Sequence, residues 1–205
     1  MGLIGAAISV LASCPASAAP FDLKKALLHD VASPVAGDAK GDVTIVVFSD
    51  YNCPYCRRSD GALDTVVASD SRVRVVYKDW PILAKSSVTA AKIAIAANLQ
   101  GQYAAVHHAL MQMHARPATD EDIGKAVVAS GADVARLNKD LDQRDGEIVA
   151  LLKRNIEEAD ALKLNGTPVY VIGPFVEANA LDVAGFRQVI ADVRAQGRNL
   201  GATTR

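Results

Sequence analysis

The residues with the most chemical potential are two cysteines in the segment Phe48-Ser49-Asp50-Tyr51-Asn52-Cys53-Pro54-Tyr55-Cys56. An apolar, β-branched run ends just before them and a helical pattern begins at once. That junction predicts Cys53 at a helix N-terminus, facing unsatisfied backbone N–H groups and the positive end of the helix dipole. Such a seat favours thiolate over thiol, and thiolate is the reactive form. Cys56 lies one turn inside and can close a disulfide on Cys53. The pair therefore points to dithiol–disulfide redox chemistry. A structural bridge around so short a loop would stabilise little. A zinc site would need two further ligands at suitable spacing.

The elements that must hold this pair are legible around it. Val43 to Phe48 is continuous and β-branched, the pattern of a fully buried strand. Pro54 falls in the first turn of the following helix, where a missing N–H costs little. That helix is predicted to run to about Ala68, with Leu63, Val66 and Val67 inward. Val73, Val75 and Tyr77 alternate with Arg72 and Arg74 and predict a second strand, parallel to the first in a βαβ unit. Ahead of this unit, Leu23, Leu27 and Leu28 predict a turn or two of helix.

A long helical stretch follows. Ser86 or Ser87 is a candidate cap for a helix carrying Val88, Ala91, Ile95 and Leu99. Tyr103, Val106, Leu110 and Met113 continue the spacing after Gly101. Thr119 can cap a helix with Ile123 and Val127 that stops at Gly131. Val134, Leu137 and Leu141 predict another helix, and Ile148, Leu151, Leu152, Ile156, Ala159 and Leu162 a separate, longest one. Strand character resumes at Val169 to Ile172 after the turn Asn165-Gly166-Thr167-Pro168, with Phe175-Val176 as a short antiparallel partner. A final helix carries Phe186, Val189, Ile190 and Val193.

Composition narrows the function classes. The chain has 205 residues, 50% of them hydrophobic, enough for one good core. Lys plus Arg number 22 against 23 Asp plus Glu, so nothing suggests a nucleic-acid footprint. Residues 1–20 carry no charged side chain and end Ala16-Ser17-Ala18-Ala19-Pro20. A short apolar run before an Ala-x-Ala site reads as a secretory signal peptide and predicts export. Leu11-Ala12-Ser13-Cys14 also fits a lipoprotein signal, with Cys14 as the lipidated residue. On either reading the mature domain keeps Cys53 and Cys56 alone.

Taken together, Asp50-Tyr51-Asn52-Cys53-Pro54-Tyr55-Cys56, Trp80-Pro81-Ile82-Leu83, Gln100-Gly101-Gln102-Tyr103 with His107, and Gly166-Thr167-Pro168 carry a resemblance. The chain resembles the DsbA-type thiol–disulfide oxidoreductases over about residues 33–195. It is most similar to the branch holding the suppressor-of-copper-sensitivity C proteins and DsbA-like antigens. The resemblance implies an α/β thioredoxin-like fold with an inserted all-helical subdomain. Residues 1–20 are then a signal peptide, 21–40 a leader, 41–84 and 163–197 the thioredoxin-like domain, and 85–162 the insertion.

The same resemblance implies Cys53 and Cys56 as the catalytic pair, with Pro54, Tyr55, Thr167 and Pro168 forming the substrate-binding loops. Pro168 would follow a cis peptide bond, placing the Thr167 backbone beside the sulfurs. No cofactor and no metal are implied. The partners implied are cysteine-containing exported proteins and a membrane redox partner, either of DsbB type or a reductant, in the periplasm. About 20 residues between the signal and the first strand are short for an oligomerisation stalk, so a monomer is expected. One departure stands out. Many relatives carry a buried glutamate six residues before the first cysteine, and here that position is Val47. Either the proton relay to Cys56 is absent here, or Lys78 or Asp79, at the end of the neighbouring strand, takes part in it.

Other readings concern single residues. His107, His108 and His114 with the cysteines raise a metal-handling alternative, but no pair has i, i+4 spacing, and His107 is expected to pack. A disulfide isomerase or reductase linked to copper tolerance is a further alternative. Met111 and Met113 read as core fillers. Trp80 is expected to pack at the domain junction, and Arg57 and Arg58 to lie on a solvated face.

Overall fold

The computed structural model describes residues 23–114 and 117–202. The expected signal peptide and Cys14 lie outside the described residues. In chain order the elements are α1 (Leu23–His29), β1 (Val35–Gly37), β2 (Val43–Ser49), α2 (Pro54–Ser69), β3 (Val73–Asp79), α3 (Lys85–Asn98), α4 (Tyr103–Met111), α5 (Asp120–Ala129), α6 (Val134–Ala161), β4 (Val169–Ile172), β5 (Phe175–Glu177) and α7 (Val183–Ala202).

The five strands form one sheet in the order β1-β3-β2-β4-β5. β2 and β3 are parallel, paired from Val43 with Val73 to Ser49 with Asp79, and β4 lies antiparallel on the other side of β2. This is an α/β thioredoxin-like fold. β2 is central and buried almost throughout, as its unbroken apolar run required. Because side chains alternate along a strand, Val43, Ile45 and Val47 face one core and Val46 and Phe48 the other. The larger core lies beneath α2 and α7 and continues into α3 to α6, taking in Ile123, Leu137 and Ile148. The smaller one joins Leu27 of α1, Trp80 and Ala159 of α6.

Three elements differ from the sequence reading. β1 was not foreseen, being three residues long and antiparallel to β3 at the sheet edge. It ends at Gly37, whose φ is +74° and where a Cβ would meet the Val73 carbonyl oxygen at 2.2 Å, so glycine is required. The two helices expected over 134–162 are one helix of 28 residues. The exposed polar run from Asp142 to Glu147 interrupts the apolar spacing without breaking the backbone, and Lys92 of α3 pairs with Asp145 across it. Neither Ser86 nor Ser87 caps α3. Ala84 occupies the cap position, and the two serines are spent on the turn before α2. Thr119 does cap α5, in a reciprocal box with Asp122.

Candidate active site

The turn between β2 and α2 is built by its own polar side chains. Asp50 accepts from the backbone N–H of Asn52 at 2.7 Å, which folds the chain back before Cys53. The same Asp50 oxygen accepts from the Ser87 hydroxyl at 2.7 Å, and the second carboxylate oxygen accepts from the N–H groups of Ile82 and Leu83 at 2.8 and 2.9 Å. Asn52 donates to Ser87 at 2.8 Å and accepts from Ala118 N–H at 2.7 Å. Two short side chains thus tie the cysteine turn to the start of α3 and to the segment before α5. Both are buried, as their full complement of partners allows.

Cys53 is the N-cap of α2, and its sulfur accepts from the Cys56 N–H at 3.3 Å. Thr167 and Pro168 reach the same place from the far end of the chain. Their peptide bond is cis, and Cys53 Sγ donates to the Thr167 carbonyl at 3.2 Å. The two cysteines are free thiols and their residues are each 2% exposed, while Pro54 and Tyr55 between them are exposed. The Cys56 thiol beside Cys53 lowers the Cys53 pKa to about 6, despite an opposing desolvation cost. Thr167 and the backbone N–H groups of Cys56 and Tyr55 act in the same direction. Burial does the reverse to Cys56, pushing its thiol up, and the neighbouring Cys53 adds to this. One motif therefore holds two thiols with opposite acidity.

Below Cys56 lies a network that joins α2, β3, α4 and the turn before α2. His107 of α4 is buried and hydrogen-bonded on both ring nitrogens, to the Tyr51 hydroxyl at 2.8 Å and to an Asp60 carboxylate oxygen at 3.0 Å. Tyr77 and Tyr103 pack on the same ring, with centroids 4.8 and 5.2 Å away. Burial alone would lower the His107 pKa, but Asp60, Asp79 and Asp64 outweigh it and leave the imidazole raised. Asp79, fully buried and facing the Tyr103 hydroxyl at 3.3 Å, is pushed up to about 6 by desolvation. The sequence reading missed Asp60. Its signal was the i, i+4 spacing from Cys56, which puts both on one side of α2.

Other expectations resolve as follows. Lys78 does not approach Cys56. It points to the opposite face of the sheet, where its amine donates to Ala26 O at 3.1 Å and pairs with Glu158 at 2.8 Å. Asp79 does not line the cavity next to Cys56, and Asp60 does. Trp80 is buried edge-on to Phe48, in the core shared with Ala159. Met111 and Met113 are core residues. Arg58 is exposed over the Tyr55 ring at 5.3 Å, and half-buried Arg57 donates to Met113 O at 3.2 Å. His108 and His114 are exposed. Among the described residues Asp60, Asp64 and His108 bring ligand-type atoms within 4.8 Å of one another, and that group contains neither cysteine.

This geometry agrees with what the chain resembles. The Thioredoxin_4 family model, described as thioredoxin, matches residues 29–192, and the chain belongs to that family, among its DsbA-like members. A thioredoxin-like oxidoreductase from Silicibacter pomeroyi DSS-3 is 35% identical, with a TM-score of 0.78 over 84% of this chain and 98% of that one. A periplasmic thioredoxin-like protein from Salmonella enterica serovar Typhimurium is 31% identical, with a TM-score of 0.77 over 84% and 96%. The catalytic domain of Proteus mirabilis ScsC is 27% identical, with a TM-score of 0.76 over 84% and 94%. Curated relatives include the Na(+)/H(+) antiporter NhaA 1 of Mycolicibacterium gilvum, 28% identical over 141 residues. The chain spans about a quarter of the length of the curated relatives it matches. No helix among the described residues is long and apolar enough to cross a membrane. The fold is that of the DsbA-like thiol–disulfide oxidoreductases, and Cys53 and Cys56 lie close together at the start of α2.

Proposed function

We propose that this protein exchanges disulfides with cysteine-containing exported proteins in the periplasm, through a Cys53–Cys56 redox pair. The observation that carries the reading is the contrast within the pair, an acidified Cys53 against a covered, protonated Cys56. In the oxidising direction a substrate thiolate attacks Cys53 of the disulfide and Cys56 leaves. A second substrate thiolate then attacks the substrate sulfur of the mixed disulfide, and Cys53 leaves as a stabilised thiolate. In the reducing direction Cys53 attacks the substrate disulfide and Cys56 resolves the adduct.

Pro54 and Tyr55, exposed beside Cys53, meet the substrate, and the backbone at Thr167-Pro168 offers it a strand-like edge. The signal-like residues 1–20 support export, as does the likeness to a periplasmic protein. Lipid attachment at Cys14 would anchor the same domain to a membrane. A membrane protein of DsbB type or a thiol donor resets the pair, and the protein works as a monomer. Replacing Cys53 with serine should abolish turnover of insulin disulfides, and a variant that retained it would refute the assignment. The equilibrium constant of the pair against glutathione decides between oxidant and reductant. Light scattering on the eluting protein tests the monomer, and a stable trimer would overturn it.

A further inference from the structure

Disulfide exchange requires Cys56 to lose a proton in one direction and gain one in the other, yet its thiol is closed off from bulk water. Beneath it is a cavity of about 10 Å³ lined by Cys56, Asp60, Val47, Tyr77, His107 and Tyr170 among others. That is the scale of a single water. Asp60 is 6% exposed, and His107 occupies one of its carboxylate oxygens. The other oxygen, Oδ2, is buried with no hydrogen-bond partner. An unpaired carboxylate oxygen in so dry a place is costly unless something uses it.

We infer that Asp60, held in place by His107, accepts the proton of Cys56 and returns it, through one water in the cavity they share. The inference rests on the redox reading of the Cys53–Cys56 pair. The other titratable groups around the cavity are less suited. Tyr77 of β3 and Tyr170 of β4 are pushed up by burial and stay protonated. Tyr51 and Tyr103 are likewise raised. Both nitrogens of His107 are already bonded. Asp79 lies behind Tyr103. Asp64 and His108 pair with each other on the outer side of α2 and α4, where both are exposed.

The reducing step then balances without a further reagent. Once Cys53 is joined to a substrate sulfur, the Cys56 thiol passes its proton through water to the Asp60 carboxylate. The Cys56 thiolate attacks Cys53 Sγ, the Cys53–Cys56 bond forms and the Cys53–substrate bond breaks. The electron pair leaves with the substrate sulfur. The dithiol has lost two electrons and the substrate disulfide has gained them. In the oxidising direction Cys56 leaves as thiolate and takes the proton from the Asp60 carboxyl group.

The test mixes reduced protein with oxidised glutathione, quenches with acid, and follows the Cys53–glutathione adduct by mass spectrometry from pH 5 to 9. Asp60→Asn should resolve the adduct about 100-fold more slowly at neutral pH, the scale of a positioned acid–base group. It should also lose a titration step from the pH profile, and Asp60→Glu should restore that step. An Asp60→Asn profile like the wild type would overturn the inference. So would equal slowing at every pH in both variants, the mark of a merely structural role. The wild-type protein gives a check that needs no variant, because resolution should show a solvent deuterium isotope effect above unity, and its absence would overturn the proton route. A wild-type protein that formed no adduct at all would instead bring down the exchange reading.

Discussion

Tyr77 and Lys78 are consecutive on β3 and point to opposite faces of the sheet, and each face buries a carboxylate from a helix. On one face Glu158 of α6 meets Lys78, with both carboxylate oxygens within 3.1 Å of the amine, the second off the hydrogen-bonding direction. On the other face Asp60 of α2 meets His107 through one oxygen only and shares a cavity with Cys56. Glu158 has a full opposite charge and does not line the cavity beside Cys56. Asp60 has a weaker partner, a free oxygen and a thiol for a neighbour. A buried acid does not by itself mark a site. What separates the two is whether the partners exhaust it and what shares its cavity.

The largest expected effect acts on the cysteine face. Cys53→Ser should reduce insulin-disulfide turnover to background while leaving the urea midpoint of the reduced protein near the wild-type value at pH 5, where Cys53 is largely protonated. Glu158→Gln should do the opposite. It leaves the Lys78 charge buried without a counter-charge, a loss of about 3–5 kcal/mol in urea unfolding. Exchange per folded molecule should be unchanged. If Glu158→Gln slowed exchange in the folded protein, the division between the faces would fail.

A smaller effect tests the two thiols against each other. The Cys53 value of about 6 lies below the ordinary 9.0. Its ionisation therefore stabilises the folded, reduced form fully above about pH 9, and this is lost as pH falls toward 6. Cys56 is raised, so its contribution holds at low pH and is lost above its unfolded value. Stability of the reduced protein should climb between pH 6 and 8 and decline at alkaline pH. Thiolate absorbance should titrate with a midpoint near 6 and vanish in Cys53→Ser. The smallest effect lies outside both faces. Gly146 is exposed in mid-helix with open space where a Cβ would stand, so Gly146→Ala should stabilise by about 0.5–1 kcal/mol without changing exchange.

Much of this molecule is set by local rules that can be read along the chain. The β-branched run of β2, the proline in the first turn of α2, the Thr119 cap and the spacing of Cys53 and Cys56 each act over a few residues, where periodicity and capping decide. Nearness to Thr167-Pro168 came from family resemblance, because no local pattern links residues 114 positions apart. Ser86 and Ser87 looked like caps because serine favours that place, but the Asn52 and Asp50 side chains offered them stronger buried partners. The places of Lys78 and Asp60 were likewise decided by packing. Side-chain alternation sends Lys78 to the far face, and His107, 47 residues from Asp60, reaches that carboxylate only when α4 packs on α2. Residue types and short spacings thus settled which groups could react and that Cys53 is the acidic sulfur, whereas burial and distant pairing settled that Cys56 stays protonated and which acid stands beside it.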